Sequence, residues 1–197
     1  MVGAVGHNLF VKIPKERIGV LIGSKGNVKE TIERELMVDL NINSRTGDVE
    51  ITLKDEAEDP SLLFRAKDVV LAIGRGFSPE KAFRLIREDD TFLEIIDLRD
   101  IFGRSQSDIV RVKGRIIGKD GKARRIIEEM SEALISVYGH TVSIIGTIEQ
   151  IEIAREAIKL LIKGSQHKTV YRFLQRKRHE LKKRKLMLWE TETLKEI

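Results

Sequence analysis

No cysteine occurs in this sequence. That absence excludes a disulfide framework, a thiolate metal site and a cysteine nucleophile. Aromatic residues are scarce, at 5%, so any core must be aliphatic. The four histidines, His7, His140, His167 and His179, stand without ligand spacing, which argues against zinc. Neither a metal nor a cofactor is expected. No apolar run approaches the roughly 18 residues that a membrane span needs, and the opening MVGAVGHNLF has no charged segment ahead of its apolar residues. A soluble, cytoplasmic protein with no membrane partner is expected.

What is present is a globular composition, 41% hydrophobic and 34% charged over 197 residues, a length suited to one large or two small domains. Abundant Glu, Lys and Arg with few amides lean towards a thermophilic source. The net charge of +5 is unevenly placed. Between Lys163 and Lys185 ten Lys/Arg face one acid, Glu180, a local +9, and residues 186–197 carry −2, which leaves the first 162 residues at −2. The body is nearly neutral and the tail is basic, a distribution compatible with a polyanion partner.

A glycine pair recurs. VLIGSKGNVKETIERE, from Val20, returns 95 residues later as RIIGKDGKARRIIEEM, from Arg115. The flanks keep the same order. NLFVKIP alternates as a strand up to Pro14, and Lys15 to Ile22 reads as a short helix entering Gly23. A second helix puts Val28, Ile32 and Leu36 on one face, and VDLNINSRTGDVEITL reads as a hairpin through Thr46, Gly47 and Asp48. Asp59-Pro60 starts a further helix that ends near Gly74 to Gly76. In the second copy TFLEIIDL is the strand, Ile109 to Ile117 the helix, and ALISVYGHTVSII the hairpin, turning at Gly139-His140. A capping box, Thr147 with Gln150, opens the last helix before Gly164. Arg99 to Val112 is an insertion relative to the first copy. SPEKAFRLIRE predicts one connecting helix capped by Ser78, and Leu174, Leu181 and Leu188, seven apart, predict a helical tail.

Glycines flanking two polar residues let a partner approach the backbone closely, and amides opening the next helix favour an anion. Lys25 and Lys119 add a cation to each loop. A Walker loop does not fit, because Gly114 to Lys119 is one residue short and Asp120 stands where a hydroxyl is required. A dinucleotide loop must follow a strand, and both of these follow a helix. The remaining pattern is I-G-x-x-G between two helices of a small β-α-α-β-β-α repeat.

LIGSKGNVKETI and IIGKDGKARRII, each followed by a hairpin and a helix, resemble K-homology (KH) domains, whose G-x-x-G loop clamps about four single-stranded nucleotides. An RRM would need strand aromatics that this chain lacks. The resemblance implies an α+β protein of two type I KH domains, each a three-stranded sheet packed on helices, plus a basic C-terminal helix. The expected division is residues 1–77, a connecting segment 78–91, residues 92–164, and a tail from 165 to 197. Two such repeats, DIFGRSQSDIVRVKGRIIGKDGKARRIIEE in the second, and a basic tail are similar to archaeal relatives of the partner-of-Nob ribosome-assembly family. Membership implies binding near the 3′ end of small-subunit ribosomal RNA, cooperation with the Nob endonuclease, and a translation initiation factor subunit as a further partner. It implies no catalysis by the chain itself. Family members from eukaryotes have a degenerate first loop, whereas Gly23-Ser24-Lys25-Gly26 is intact here.

The resemblance places RNA contacts at Gly23, Ser24, Lys25, Gly26 and Lys29, and at Gly118, Lys119, Asp120 and Gly121. Lys113, Arg115, Lys122, Arg124 and Arg125 surround the second loop. Asp120 is the awkward member, an acid that either faces away from the ligand or caps the following helix. Ile22, Val28 and Ile42, with Ile117, Ala123 and Val137, are candidates for an apolar groove under the bases or for plain core. Glu33, Glu35, Glu128 and Glu129 read as helix-face charges rather than acid/base pairs. Arg172, Arg176, Lys177, Arg178, Lys182, Lys183, Arg184 and Lys185 of the tail are expected to meet RNA or a partner. Two rival readings stay open, a phosphate-using enzyme and an assembly scaffold whose repeats bind proteins.

Overall fold

A computed structural model describes the backbone of residues 8–193 and the side chains of residues 8–183. His7 and the side chains of Arg184, Lys185 and Leu188 lie outside the described residues. The first repeat runs β1 (Asn8–Lys12), α1 (Lys15–Ile22), a single 3-10 turn, α2 (Asn27–Glu35), β2 (Val38–Ile42), β3 (Asp48–Leu53) and α3 (Ser61–Gly74). Two short helices follow, α4 (Pro79–Ala82) and α5 (Arg84–Arg87). The second series is β4 (Phe92–Asp97), α6 (Leu98–Phe102), α7 (Gln106–Ile117), another 3-10 turn, α8 (Lys122–Ser131), β5 (Leu134–Tyr138), β6 (Thr141–Gly146) and α9 (Ile148–Ile162). The described residues end in α10 (His167–Thr193).

This is a mixed α/β fold with two three-stranded sheets, ordered β1-β3-β2 and β4-β6-β5. Two compact units emerge, residues 1–97 with 136–145, and residues 98–135 with 146–197. The first holds α1 to α5 and nearly all of both sheets; the second holds α6 to α10.

In the first sheet β3 pairs antiparallel with both neighbours, setting Val11 opposite Val49 and Leu40 opposite Ile51. Those four residues are buried with Ile13 and Val38, while Asn8, Phe10, Lys12, Asp39 and Asn41 on the alternate positions are exposed. The two-residue period of a strand produces that division. Ile18 and Leu21 of α1, Val28 and Ile32 of α2, and Leu63, Ala66, Val69, Val70 and Ile73 of α3 complete the core. In the second unit α7, α8, α9 and α10 bury Ile109, Val112, Ile116, Ile127, Ala154, Ile158, Leu161, Val170 and Leu174.

Local chemistry sets several ends. The Asp59 carboxylate accepts from the Ser61 amide at 2.8 Å and starts α3, and the Thr147/Gln150 capping box starts α9. Asn43 organises the first hairpin turn, its Oδ1 accepting from the Arg45 and Thr46 amides. The connecting helix expected over 78–88 is two short helices that meet at Phe83, whose torsions, φ −66° and ψ −9°, stay in the right-handed helical region. Ser78 holds the N-cap position but its side chain caps no backbone amide. The inserted segment forms α6 and the start of α7, so that helix begins at Gln106 rather than Ile109.

Arg17 ties α1 to the end of α3. Its guanidinium donates to the Ile73 carbonyl at 2.8 Å, near the end of α3, and to the Phe77 carbonyl at 2.6 Å in the segment after it, two charge-assisted bonds. The same guanidinium lies 5.8 Å from the Tyr138 ring centre, and the Tyr138 hydroxyl donates to Glu16 at 2.6 Å. That bond holds the Glu16 carboxyl below its ordinary range. Replacing Arg17 with Met keeps the stem and removes both charged hydrogen bonds. Urea unfolding of Arg17→Met should show a loss of about 2–3 kcal/mol.

Candidate nucleic-acid interface

The two glycine loops have nearly the same backbone. Gly23 has φ 75° and ψ 177°, and Gly118 has φ 71° and ψ 176°. Lys25 and Asp120 sit at φ 55° and 53°, and Gly26 and Gly121 at φ 84° and 74°. Each loop starts with a glycine amide bonded back to the helix before it, Gly23 to Gly19 at 2.9 Å and Gly118 to Gly114 at 2.8 Å. Each ends at a helix with no side-chain cap. The first amides of α2 and α8, at Asn27 and Lys122, donate to the Ser24 and Lys119 carbonyls, and no cap side chain reaches the amides that follow, the condition under which a helix start attracts an anion.

The four glycines differ in what they allow. A Cβ on Gly23 would stand 2.3 Å from Asn27 Oδ1 and 2.5 Å from Val28 Cγ2, and one on Gly118 would stand 2.6 Å from the Ala123 Cβ. These first glycines let the loop lie directly on the next helix. At Gly26 and Gly121 nothing comes within 4 Å of the added carbon, so their outer side is open to a ligand.

Asp120 occupies the left-handed position that Lys25 fills in the first loop, a conformation that Asp tolerates better than most residues. It does not cap α8, because Gly121 holds the N-cap position without a side-chain bond. The Asp120 carbonyl instead accepts from Arg125 at 2.9 Å, and its own side chain is exposed.

The surrounding charges are not equivalent. Lys25, Lys119, Lys122 and Arg125 are exposed and Lys113 is half-buried, while Lys29 pairs with Glu33 at 3.6 Å and Arg124 with Glu128 at 3.7 Å. Glu33 also accepts from the Leu40 amide and Glu128 from the Ile135 amide, both at 2.8 Å. The same brace thus joins each post-loop helix to its following strand, and the repeat spacing of 95 residues is the signal that marks it. Arg115 turns from the loop to the Ser165 carbonyl, and His167 Nε2 lies 2.9 Å from the Arg115 carbonyl. Sequence reasoning gave neither Ser165 nor His167 a role. Of the groove candidates, Val28 and Ala123 are buried and Ile22, Ile42, Ile117 and Val137 are half-buried.

The tail divides in two. Helix α10 packs on α8 and α9, buries Val170 and Leu174, and brings Arg178 to Glu129 at 3.7 Å. Lys177 and Arg176 both pair with Glu180. Arg172, Arg176, Lys182 and Lys183 are exposed. Among the described residues no group of three or more His, Cys, Asp or Glu side chains is placed to hold a metal ion. No described helix is long and apolar enough to cross a membrane.

A family model described as eukaryotic type KH-domain (KH-domain type I) matches residues 92–179. A KH domain-containing protein of Methanocaldococcus jannaschii is 49% identical over 181 residues, 92% of this chain and 78% of that protein. The pre-rRNA-processing protein PNO1 of Coccidioides immitis is 30% identical over 165 residues, covering 84% of this chain and 65% of its own length. Among solved structures, the a/eIF2alpha–aDim2p–rRNA complex from Pyrococcus horikoshii contains a chain 52% identical to this one. The TM-score is 0.84, with 90% of this chain and 97% of that chain covered.

The geometry predicts unequal costs for filling the glycines. Gly23→Ala adds a carbon into Asn27 and Val28 at a backbone conformation confined to glycine, and should lose about 3 kcal/mol in thermal or urea unfolding. Gly26→Ala meets only the left-handed backbone penalty and should lose about 1 kcal/mol.

Proposed function

The chain belongs to the PNO1/Dim2 family of KH-domain proteins, and from that premise we propose that it binds single-stranded RNA through both glycine loops. The reading takes residues 1–77 and 92–164 as two KH repeats joined by 78–91, with 165–197 as a helical tail. One observation carries it: two loops 95 residues apart share their torsions, open on uncapped helix starts and carry exposed lysine. A phosphodiester supplies the anion such a start lacks.

The target is the 3′ region of small-subunit ribosomal RNA during ribosome assembly. Support comes from the relative bearing a pre-rRNA-processing name and from the 52%-identical chain in a complex containing rRNA. That complex also supports a translation initiation factor subunit as a protein partner, and the family resemblance adds the Nob endonuclease. The protein performs no chemistry of its own. A second reading, a first repeat that mainly binds protein, draws on the weaker charge of its loop, where Glu33 neutralises Lys29.

Each repeat grips only about four nucleotides. Two on one chain make the second engagement intramolecular and raise avidity by roughly 10²–10⁴ where the RNA spans both. The second loop should dominate, because Lys119, Lys122 and Arg125 are exposed around it. Lys119→Asp sets a second acid beside Asp120 and leaves both glycines in place. Titrated against a single-stranded RNA of about a dozen nucleotides, it should lose more affinity than the double change of Ser24 and Lys25 to Asp. Equal, small losses would remove the loops as the RNA site.

The tail requires a gentler test than truncation, since Val170 and Leu174 belong to the core. Changing Arg172, Lys182 and Lys183 to Gln removes exposed charge and leaves the Arg176 and Lys177 pairs with Glu180 in place. Each lost phosphate contact should flatten the log–log salt dependence of binding by about 0.7. An unchanged slope would assign this face to a protein partner.

A further inference from the structure

Away from both loops, one face of α3 and the start of β4 enclose a groove of about 330 Å³. Its walls include Phe64 and Phe92, 56% and 46% exposed, in a chain with only seven phenylalanines. Large aromatic faces left in water are uncommon and mark contact sites when they cluster. Asp68 lines the same groove, half-buried and four residues from Phe64 along α3.

Asp68 is the informative group. Among the described residues no side chain hydrogen-bonds to it or pairs with it. Burial pushes its carboxyl above the ordinary range, and Lys67 beside it in sequence offsets only part of that. The cation within the groove, Arg65, is committed elsewhere: it pairs with the Asp89 carboxylate at 2.8 Å and donates to the Asp89 carbonyl at 3.4 Å. A carboxylate partly withdrawn from water without a partner costs stability, and an incoming cation offsets that cost.

We propose that this groove receives an arginine side chain from a protein partner, its guanidinium stacked on Phe64 and Phe92 and hydrogen-bonded to the Asp68 carboxylate. The chemistry selects the occupant. Aromatic faces attract cations. A planar guanidinium stacks on a ring and presents paired donors to a carboxylate, whereas an ammonium is more strongly hydrated and binds as a point. A phosphate would meet the unpaired Asp68 carboxylate while Arg65 is held by Asp89, so RNA is disfavoured here. The volume suits one side chain and its neighbours rather than a large ligand. The site shares no residue with the glycine loops, so it stands or falls apart from the RNA reading.

The test uses the full chain, isotope-labelled for NMR, and N-acetyl-arginine amide as the probe, with the lysine and citrulline amides as comparators. Arginine should shift the Phe64, Asp68 and Phe92 signals saturably at millimolar concentration, lysine several-fold more weakly, and uncharged citrulline not at all. Asp68→Asn should unfold at the same or higher urea concentration, because it removes a partly desolvated charge, and should bind arginine at least ~10-fold more weakly. Phe64→Ser, at an exposed helix position, should weaken binding without touching the charge. Citrulline binding as well as arginine, an Asp68→Asn variant of unchanged affinity, or groove signals that respond to single-stranded RNA instead would each overturn the proposal.

Discussion

Each helix behind a glycine loop begins where a side chain would otherwise stand. Gly23 lies against Asn27 and Val28, and Gly118 against Ala123, at distances that leave no room for a Cβ. That close approach lets the chain leave one helix, make a single 3-10 turn and enter the next without inserting a capping residue. Beyond the Asn27 and Lys122 amides, which donate to the Ser24 and Lys119 carbonyls, the start of each helix receives no side-chain cap. The braces follow from the same need for position. Glu33 and Glu128 hold α2 and α8 to the Leu40 and Ile135 amides, so the helix starts are fixed from behind while their fronts stay open.

Much of this was legible in residue order, because periodicity and glycine spacing act locally. The β-α-α-β-β-α series, the hairpin at Gly139-His140 and the Thr147/Gln150 box all depend on residues within a few positions of one another. What was not legible depends on partners far along the chain or on torsions. Arg115 reads as one more loop cation until its guanidinium is found on Ser165, 50 residues away. Asp120 reads as a helix cap or a misplaced acid, and its place in the left-handed region accounts for the residue type without a cap. The single connecting helix expected over 78–88 is instead the two short helices α4 and α5, on either side of Phe83.

The charge pattern resolves in a similar way. A run of tail cations looks uniform in sequence, yet α10 spends Arg178 on Glu129 and pairs Lys177 with Glu180, while Arg172, Lys182 and Lys183 remain exposed. Helix periodicity separates the two sets, with Val170, Leu174 and Arg178 four apart on the packed side. The basic tail is thus a structural helix that carries a charged face. Its attachment begins beside the second loop, where Ser165 and His167 meet Arg115, so the packing of α10 and the position of that loop depend on shared residues.

The central claim is that both loops hold RNA by its backbone, at the amides that open α2 and α8. The most direct measurement is backbone-amide NMR of the labelled protein as single-stranded RNA of about a dozen nucleotides is added. The account predicts that the largest early shifts fall at residues 24–28 and 119–124, and that an abasic strand of equal length and charge reproduces much of them. Shifts confined to α10 or to the exposed face of the first sheet, with both loops unchanged, would contradict it.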